Sequence, residues 1–267
     1  MNEQLPSYPT AYSVEDFLSN LAAVRQRIAA ACARVARDPA EVRLLPVSKT
    51  VTEERIRLAY AAGCHELGEN KVQEASRKAE AMADLSDLRW SVIGHLQTNK
   101  AKVVARFASE FQALDSLRAA EALDRRLQAE GRGLDVLVQV NTSGEPSKFG
   151  LAPTEVADFL QALPAFSALR VRGLMTLARL SADPARVRPC FALLRELRER
   201  LRQQAPAGIG LEQLSMGMSG DFELAIEEGA TVVRVGQAIF GARATPDGHY
   251  WPDHQSPATS AQQEHEA

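Results

Sequence analysis

A lysine at the end of an apolar run is the residue in this sequence whose position best suits covalent chemistry. Lys49 closes the run Leu44-Leu-Pro-Val-Ser-Lys49. Burial disfavours a charged ammonium and lowers its pKa, so the amine becomes a nucleophile toward a carbonyl group. A lysine at such a position can also extend its stem along the surface and keep its amine in water. From the residue alone, both interpretations stay open.

Two glycine-containing turns in the last third of the chain could hold an anion. The first is Ser215-Met-Gly-Met-Ser-Gly-Asp221, and the second follows Arg234 and begins at Gly236. Backbone N–H groups in a glycine turn, serine hydroxyls and the start of a helix form a site for phosphate. Each turn alone is typical of an ordinary strand–helix connection, but two adjacent turns favour phosphate binding.

A reactive lysine and a phosphate site together predict pyridoxal 5′-phosphate (PLP), whose aldehyde forms a Schiff base with lysine. Arg234 would then lie near the pyridine nitrogen of the cofactor. Because a guanidinium does not give up its proton, that nitrogen would stay unprotonated and the cofactor would be a weak electron sink.

Alternating strand and helix patterns supply the scaffold that must position these residues. A helix from Ser13 to about Arg37 precedes eight strand–helix units. The strands are predicted at 42–49, 64–68, 88–95, 111–115, 134–141, 169–175, 211–216 and 231–235. Eight such units over this length predict an α/β fold, a single (β/α)8 TIM barrel with an extra N-terminal helix. The absence of G-x-G-x-x-G after the first strand argues against a doubly wound sheet.

In such a barrel the loops after the carboxyl ends of the strands form the active face. The candidate cofactor-binding residues at these positions are Lys49, Asn70, His95, Ser215, Gly217, Arg234, Gly236 and Gln237. His95 either lies against the ring of a bound cofactor or hydrogen-bonds within the barrel rim. Met175, Met216 and Met218 are predicted to pack, and Glu69 to cap the helix after the second strand.

Composition excludes several classes of protein. With 31 Lys and Arg against 34 Asp and Glu, the net charge is −3, which argues against a nucleic-acid or anionic-membrane surface. Three widely separated cysteines fit a reducing compartment and indicate neither a metal site nor a disulfide framework. Without a visible secretory signal or an apolar run of about 18 residues, we expect a cytoplasmic protein. No large apolar segment suggests an interface, so a monomer is predicted.

Both ends of the sequence are predicted to lie outside the barrel. Residues 1–12 carry two prolines and little periodicity, and residues 244–267 are rich in Pro, Ser, Gln and Glu. Such segments bury too little apolar surface to offset the entropy of ordering, which predicts disorder. The PLP-binding barrel is therefore predicted to span residues 13–243.

Six motifs carry a family resemblance. In chain order they are Val47-Ser-Lys-Thr50, Leu67-Gly-Glu-Asn70, Ile93-Gly-His-Leu-Gln-Thr-Asn-Lys100, Arg172-Gly-Leu-Met175, Leu214-Ser-Met-Gly-Met-Ser219 and Val233-Arg-Val-Gly-Gln-Ala-Ile-Phe-Gly241. From about residue 14 to 243 the chain resembles the YggS/PROSC family of pyridoxal phosphate homeostasis proteins. The resemblance implies a fold-type III barrel, like the N-terminal domain of alanine racemase, and a role in intracellular PLP (vitamin B6) supply without established turnover.

The same resemblance implies roles for particular residues. It places the PLP Schiff base at Lys49, phosphate contacts at Ser215, Gly236 and the adjoining backbone, Arg234 at the pyridine nitrogen and Asn70 beside the ring.

The sequence departs from the family at one position. Many members carry a second lysine two residues after the Schiff-base lysine, where this chain has Val51. A transfer of PLP through an amine at that position is therefore in doubt. Lys148 matches a loop lysine of the family and could be an alternative amine, but it is predicted to be solvated.

Two further functions are weighed against a carrier. An amino-acid racemase, or another fold-type III PLP enzyme, would need a base on each face of the α-carbon. Racemases of this type take the second base from a tyrosine on a separate β-domain, for which the residues after Arg243 leave no room. A barrel for a phosphorylated sugar or nucleotide would have no chromophore. We expect a carrier, with apo PLP-dependent enzymes as transient partners.

Overall fold

Eight parallel strands, each followed by a helix, organise the part of the chain described by the computed structural model, residues 8–242. The strands are β1 Arg43–Pro46, β2 Glu66–Glu69, β3 Arg89–Val92, β4 Glu110–Leu114, β5 Leu134–Gln139, β6 Leu169–Met175, β7 Gln213–Ser215 and β8 Val232–Val235. The helices are α1 Val14–Arg34, α2 Glu53–Ala61, α3 Val72–Ala81, α4 Ala101–Phe107, α5 Leu117–Ala129, α6 Val156–Ala162, α7 Pro184–Arg202, α8 Phe222–Glu227 and α9 Gln237–Phe240. Each predicted strand is present and is followed by a helix; the strand predicted at 169–175 has these same bounds, and the other seven differ by one to three residues at one or both ends.

The sheet is a nearly closed barrel with the strand order β1-β8-β7-β6-β5-β4-β3-β2. Between the two outer strands of that order, Val47 forms a parallel bridge with Gly68, and the N–H of Ser48 donates to the carbonyl of Gly68 at 3.0 Å. The predicted (β/α)8 barrel with an extra N-terminal helix is therefore confirmed.

The barrel interior contains a chain of hydrogen-bonded polar side chains. Glu110 on β4 receives hydrogen bonds from Arg43 Nη2 at 2.6 Å, Ser91 Oγ at 2.9 Å and Gln112 Nε2 at 2.7 Å. Ser215 on β7 donates its hydroxyl to Gln112 Oε1 at 2.6 Å. Buried polar groups cost free energy unless they are paired, so these contacts stabilise the polar interior. They connect the amino-terminal end of β1 with the carboxyl end of β7.

Helix α1 packs across α8 and α9, outside the last two strands. It begins with a capping box in which Ser13 and Asp16 bond each other's backbone N–H groups. Phe17, on its buried face, meets Phe240 edge-on with ring centroids 5.4 Å apart. The extra helix thus supports the helices that follow β7 and β8.

The segment before α1 also packs against the barrel. Ala11 is buried, the hydroxyl of Tyr8 donates to the carbonyl of Ser219 at 3.0 Å, and the N–H of Ala242 donates to the carbonyl of Tyr8 at 3.0 Å. The prediction of disorder for residues 1–12 is therefore wrong for residues 8–12, because composition does not reveal these long-range contacts. Residues 1–7 and the predicted tail from 244 onward lie outside the described residues.

The three cysteines are buried free thiols, and burial raises the pKa of Cys64 to about 11. Within residues 8–242, no three His, Cys, Asp or Glu side chains come together as a metal site would require. No helix in the same part of the chain has the length and apolarity that a membrane span needs.

We predict that Phe17→Ala lowers the free energy of unfolding by about 3–5 kcal/mol, because it leaves a cavity between α1 and α9. Urea denaturation followed by circular dichroism measures the change. Leu18→Ala, on the half-exposed face of the same helix, should change it by about 0.5 kcal/mol or less. Equal effects of the two substitutions would contradict the packing of α1.

Candidate functional site

Lys49 lies at the carboxyl end of β1, where the strands open into the mouth of the barrel. Side chains alternate along a strand, so Arg43, Leu45 and the bridge residue Val47 belong to one face, and Lys49 lies two residues further, in the turn after the strand. Arg43 contacts Glu110 on β4, which is not a neighbour of β1, so this face is the barrel interior. Lys49 is partly buried. The predicted position of Lys49 at the mouth is therefore supported by the backbone register.

The loops after β7 and β8 meet beside β1. Gly217 has a φ of +94°, and a Cβ at this position would lie 2.6 Å from the Cβ of Ala225 on α8. The carbonyl of Gly217 accepts from the N–H of Arg234 at 3.0 Å, and Ser219 Oγ accepts from the N–H of Ala238 at 3.3 Å. A side chain at Gly217 would push the first loop off α8, so glycine is required for this close approach.

Three side chains from α1 and the segment before it bind the first of these loops and helix α9, which follows the second. The carbonyl of Ser219 accepts from the hydroxyl of Tyr8 at 3.0 Å and from Arg27 Nη2 at 3.4 Å. Asn20 Nδ2 donates to the carbonyl of Ile239 at 3.0 Å. The loops are therefore fixed to α1 and to the segment before it.

Arg234 is a buried cation on β8. Its Nη1 donates to Ser215 Oγ at 2.6 Å and its Nη2 to the carbonyl of Thr176 at 2.8 Å. Burial lowers the pKa of Arg234 to about 10, although the charges of Asp221 and Glu110 oppose this. No carboxylate in residues 8–242 lies within ion-pair distance of it. A buried guanidinium held by neutral acceptors suits a ligand that brings its own hydrogen-bond acceptor.

Ser215 and Ser219 have different environments. The hydroxyl of Ser215 is fully buried between Gln112 and Arg234, whereas that of Ser219 lies where the two loops meet. Both serines belong to the glycine-containing turn that the sequence predicts as an anion site, and the family resemblance implies the phosphate contact for Ser215. Ser215 is the last residue of β7, whereas Ser219 lies in the loop that follows.

The other predicted residues also lie at the carboxyl ends of the strands. Gly236 precedes α9 and accepts from the N–H of Phe240 at 2.9 Å, and Gln237 is the first, partly buried residue of that helix. Asn70 follows β2, and its carbonyl oxygen would lie 2.1 Å from a Cβ on Gly94. The loops after β2 and β3 therefore touch through their backbones.

His95 lies exposed on the rim of the mouth. Its ring stacks on Phe149 with the centroids 3.9 Å apart and the planes 8° apart, and its Nδ1 lies 3.3 Å from Oδ2 of Asp115. These contacts agree with a histidine hydrogen-bonded in the rim. A contact between His95 and a cofactor ring stays a prediction.

Lys148 is not a solvated loop lysine, so that prediction is wrong. Its side chain is 7% exposed, forms an ion pair with Glu145 and donates to the carbonyl of Ala178 at 3.0 Å. Asn141 Nδ2 donates to the carbonyl of Glu145 at 2.9 Å, which folds this loop back toward the loop after β6. The loop between β5 and α6 has no alternating or helical pattern of apolar residues, so the burial of Lys148 could not be predicted from the sequence.

Glu69 is predicted to cap the helix after β2, and this prediction is wrong. The side chain of Lys71, the N-cap residue of α3, forms no capping hydrogen bond, and Glu69 instead accepts hydrogen bonds from Ser48 and Lys78. The carboxylate thus belongs to the layer between the barrel and α3.

Lys49, the buried guanidinium of Arg234 and the turn at Gly217 therefore all belong to the carboxyl ends of β1, β8 and β7. This donor set suits a small ligand that carries both a carbonyl and a phosphate group.

Comparison with known proteins first defines the class. Residues 19–244 match the family model described as alanine racemase, N-terminal domain. The alanine racemase of Clostridium difficile shares the fold at a TM-score of 0.68 and 14% identity, over 92% of this chain and 61% of that chain. At this identity the likeness concerns the fold alone.

Closer relatives define the family. The pyridoxal phosphate homeostasis proteins of Pseudomonas aeruginosa and Aquifex aeolicus are 44% and 42% identical over 84% of this chain, and the matches cover 94% and 96% of their lengths. The structure of PipY from Synechococcus elongatus with PLP bound has a TM-score of 0.74 and 37% identity, over 84% of this chain and all of that chain. This chain belongs to the pyridoxal phosphate homeostasis protein family, which confirms the resemblance found in the sequence.

We predict that acetic anhydride modifies Lys148 at least about tenfold more slowly than the exposed Lys102, because its side chain is buried and its Nζ is engaged by Glu145 and the carbonyl of Ala178, which restricts access of the reagent. Peptide mass spectrometry over a time course measures both rates. Glu145→Gln should speed the modification of Lys148, since it removes the ion pair that holds the amine in place. Equal rates for Lys148 and Lys102 in the unaltered protein would contradict the buried ion pair.

Proposed function

We propose that this protein binds PLP as a Schiff base on Lys49 and takes part in PLP homeostasis as a carrier without turnover. The observation that carries the proposal is the pairing of β1 with β8. The N–H of Val47 donates to the carbonyl of Val235 at 2.9 Å, so the strand end that bears Lys49 runs beside Gly236. A lysine and an anion-binding turn thus lie side by side at one mouth.

The two loops fit the phosphate. The hydroxyl of Ser219 and the N–H of Ala238, joined at 3.3 Å, would both turn to phosphate oxygens, together with N–H groups near Gly217, Gly236 and Gln237. We assign Ser215 the different role of holding Arg234 from below, because its hydroxyl is already engaged there.

Arg234 is suited to donate a hydrogen bond to the pyridine nitrogen of PLP. A guanidinium has five N–H groups, and the bonds to Ser215 and Thr176 use two of them. A donor that keeps its proton holds the ring nitrogen neutral and makes the ring a weak electron sink, which favours holding PLP over reacting it. Asn70 would lie beside the ring.

When bound, PLP would supply an aldehyde, and Lys49 would supply the amine that forms a C=N bond with it, the carbonyl oxygen leaving as water. The protein's own part is to bind the phosphate, orient the ring and present the amine. Of the three tyrosines in residues 8–242, Tyr8 and Tyr60 donate their hydroxyls to Ser219 and Asp87, and Tyr12 lies exposed before α1, outside the barrel. This supports a carrier over a racemase, which needs a second base.

As part of the same proposal, the protein is a cytoplasmic monomer that passes PLP to apo PLP-dependent enzymes. Three buried free thiols suit the reducing conditions of that compartment.

We predict that the purified protein turns yellow with PLP and that Lys49→Ala does not. Borohydride reduction followed by peptide mapping should place the modification on Lys49. Lys102→Ala, which changes an exposed lysine of α4, should leave the colour unchanged.

A colourless wild-type protein after PLP addition would contradict the Schiff base. Turnover of L- or D-alanine to the opposite isomer at the rates of ordinary enzymes would favour the racemase.

We predict that Ser219→Ala raises the Kd for PLP about tenfold, since one hydrogen bond to a charged group is lost. Ser181→Ala, in the loop after β6, is the matched control and should leave Kd within about twofold. The absorbance change on titration with PLP measures both. An unchanged Kd for Ser219→Ala would remove Ser219 from the phosphate site.

A further inference from the structure

Behind Lys49, on the outer side of β1 and β2, helix α3 carries a fully buried lysine that the proposed function does not use. Lys78 Nζ donates to the carbonyl of Ser48 at 2.8 Å, to Glu69 Oε1 at 2.7 Å and to Glu74 Oε1 at 2.7 Å. An ammonium has three N–H groups, so these bonds use its full capacity and fix its position.

Lys78 and its partner Glu74 bond to the backbone on either side of Lys49. The carbonyl of Ser48 belongs to the peptide group that precedes the Cα of Lys49. Glu74 Oε1 also accepts from the N–H of Thr50 at 2.9 Å, and that N–H belongs to the peptide group that follows. Lys78 and Glu74, one turn apart on α3, therefore hold both peptide groups that flank Lys49.

The held segment contains a strained residue. Thr50 has a φ of +66°, a left-handed conformation that is rare for a β-branched side chain. Such a conformation persists only where the surroundings impose it, and it is common at functional sites. The bond from Thr50 to Glu74 supplies part of this restraint and turns the chain sharply after Lys49.

The two carboxylates that bind Lys78, Glu74 and Glu69, have pKa values shifted in opposite directions. Burial alone would raise the pKa of Glu74, but its hydrogen bonds to Lys78 and Thr50 outweigh this and leave the pKa below its usual value. Burial raises the pKa of Glu69 despite its bonds to Lys78 and Ser48, and Glu69 Oε2 has no hydrogen-bond partner in residues 8–242. Of the two carboxylates that bind Lys78, Glu74 therefore has the lower pKa.

We propose that Lys78 and Glu74 are positioning residues that hold the backbone of Lys49 so that its amine reaches a bound aldehyde. This inference rests on the proposed function. A backbone that is already fixed loses less freedom when the C–N bond forms and water leaves, which favours the covalent complex. Neither side chain touches the ligand, because both lie in the layer between the barrel and α3.

The test compares a ligand that can bond to Lys49 with one that cannot. Pyridoxine 5′-phosphate carries a hydroxymethyl group in place of the aldehyde, so it occupies the phosphate and ring sites without a covalent bond. Glu74→Ala should weaken PLP binding about tenfold and leave the affinity for pyridoxine 5′-phosphate within about twofold. Absorbance measures the first affinity and calorimetry the second.

Three further variants sharpen the result. Glu74→Gln keeps an oxygen acceptor for Thr50 and Lys78 and should restore most of the PLP affinity. Ser76→Ala, on the same helix, should behave like the wild type. Lys78→Met removes the cation and should weaken PLP binding more than Glu74→Ala. Glu74 has a side chain 23% exposed, so its substitution gives an answer even where Lys78→Met fails to fold.

The outcomes separate the two proposals. If the wild type forms the yellow complex and Glu74→Ala forms it with equal affinity, the positioning role is overturned while the proposed function stands. Equal weakening toward both ligands also overturns it, because the effect is then a general loss of structure. A wild type that binds pyridoxine 5′-phosphate but never turns yellow overturns the Schiff base at Lys49 and the positioning role with it.

Discussion

A guanidinium buried at the floor of the mouth has to be held by hydrogen bonds, and much of the barrel interior is organised around that need. Arg234 is held by Ser215 and the carbonyl of Thr176, Ser215 is held by Gln112, and Gln112 is held by Glu110. An apolar interior would leave each of these groups unpaired at a cost in stability. The barrel interior therefore contains this chain of polar side chains because the buried cation at its mouth needs hydrogen-bond partners.

The mouth is assembled by loops, but helices outside the barrel hold those loops in place. Helix α1 and the residues before it fix the carbonyl of Ser219 through Tyr8 and Arg27. Helix α3 fixes the backbone around Lys49 through Lys78. The loops after β7 and β8 and the backbone around Lys49 thus have separate supports, and the pairing of β1 with β8 brings them together. Site precision depends on such outer contacts as much as on the residues that line the mouth.

The order of strands and helices could be predicted from the sequence, and so could the residues that lie near the strand ends. Apolar runs and helical periodicity report burial directly. Lys49 and Arg234 could be placed at the mouth for that reason. The burial of Lys148 could not be predicted. It depends on a contact with the loop after β6, 30 residues away in the chain, which leaves no local periodic pattern.

The contacts that hold the loops after β7 and β8 join the two ends of the described chain. Tyr8 and Ser219 are separated by 211 positions, and Asn20 and Ile239 by 219. Loops of this length close late in folding, since their entropy must be lost before their contacts form. We therefore expect the site to be absent from a growing chain until the last strand has joined the first. During synthesis the ligand would accordingly meet a finished barrel and could not serve as a template for its folding.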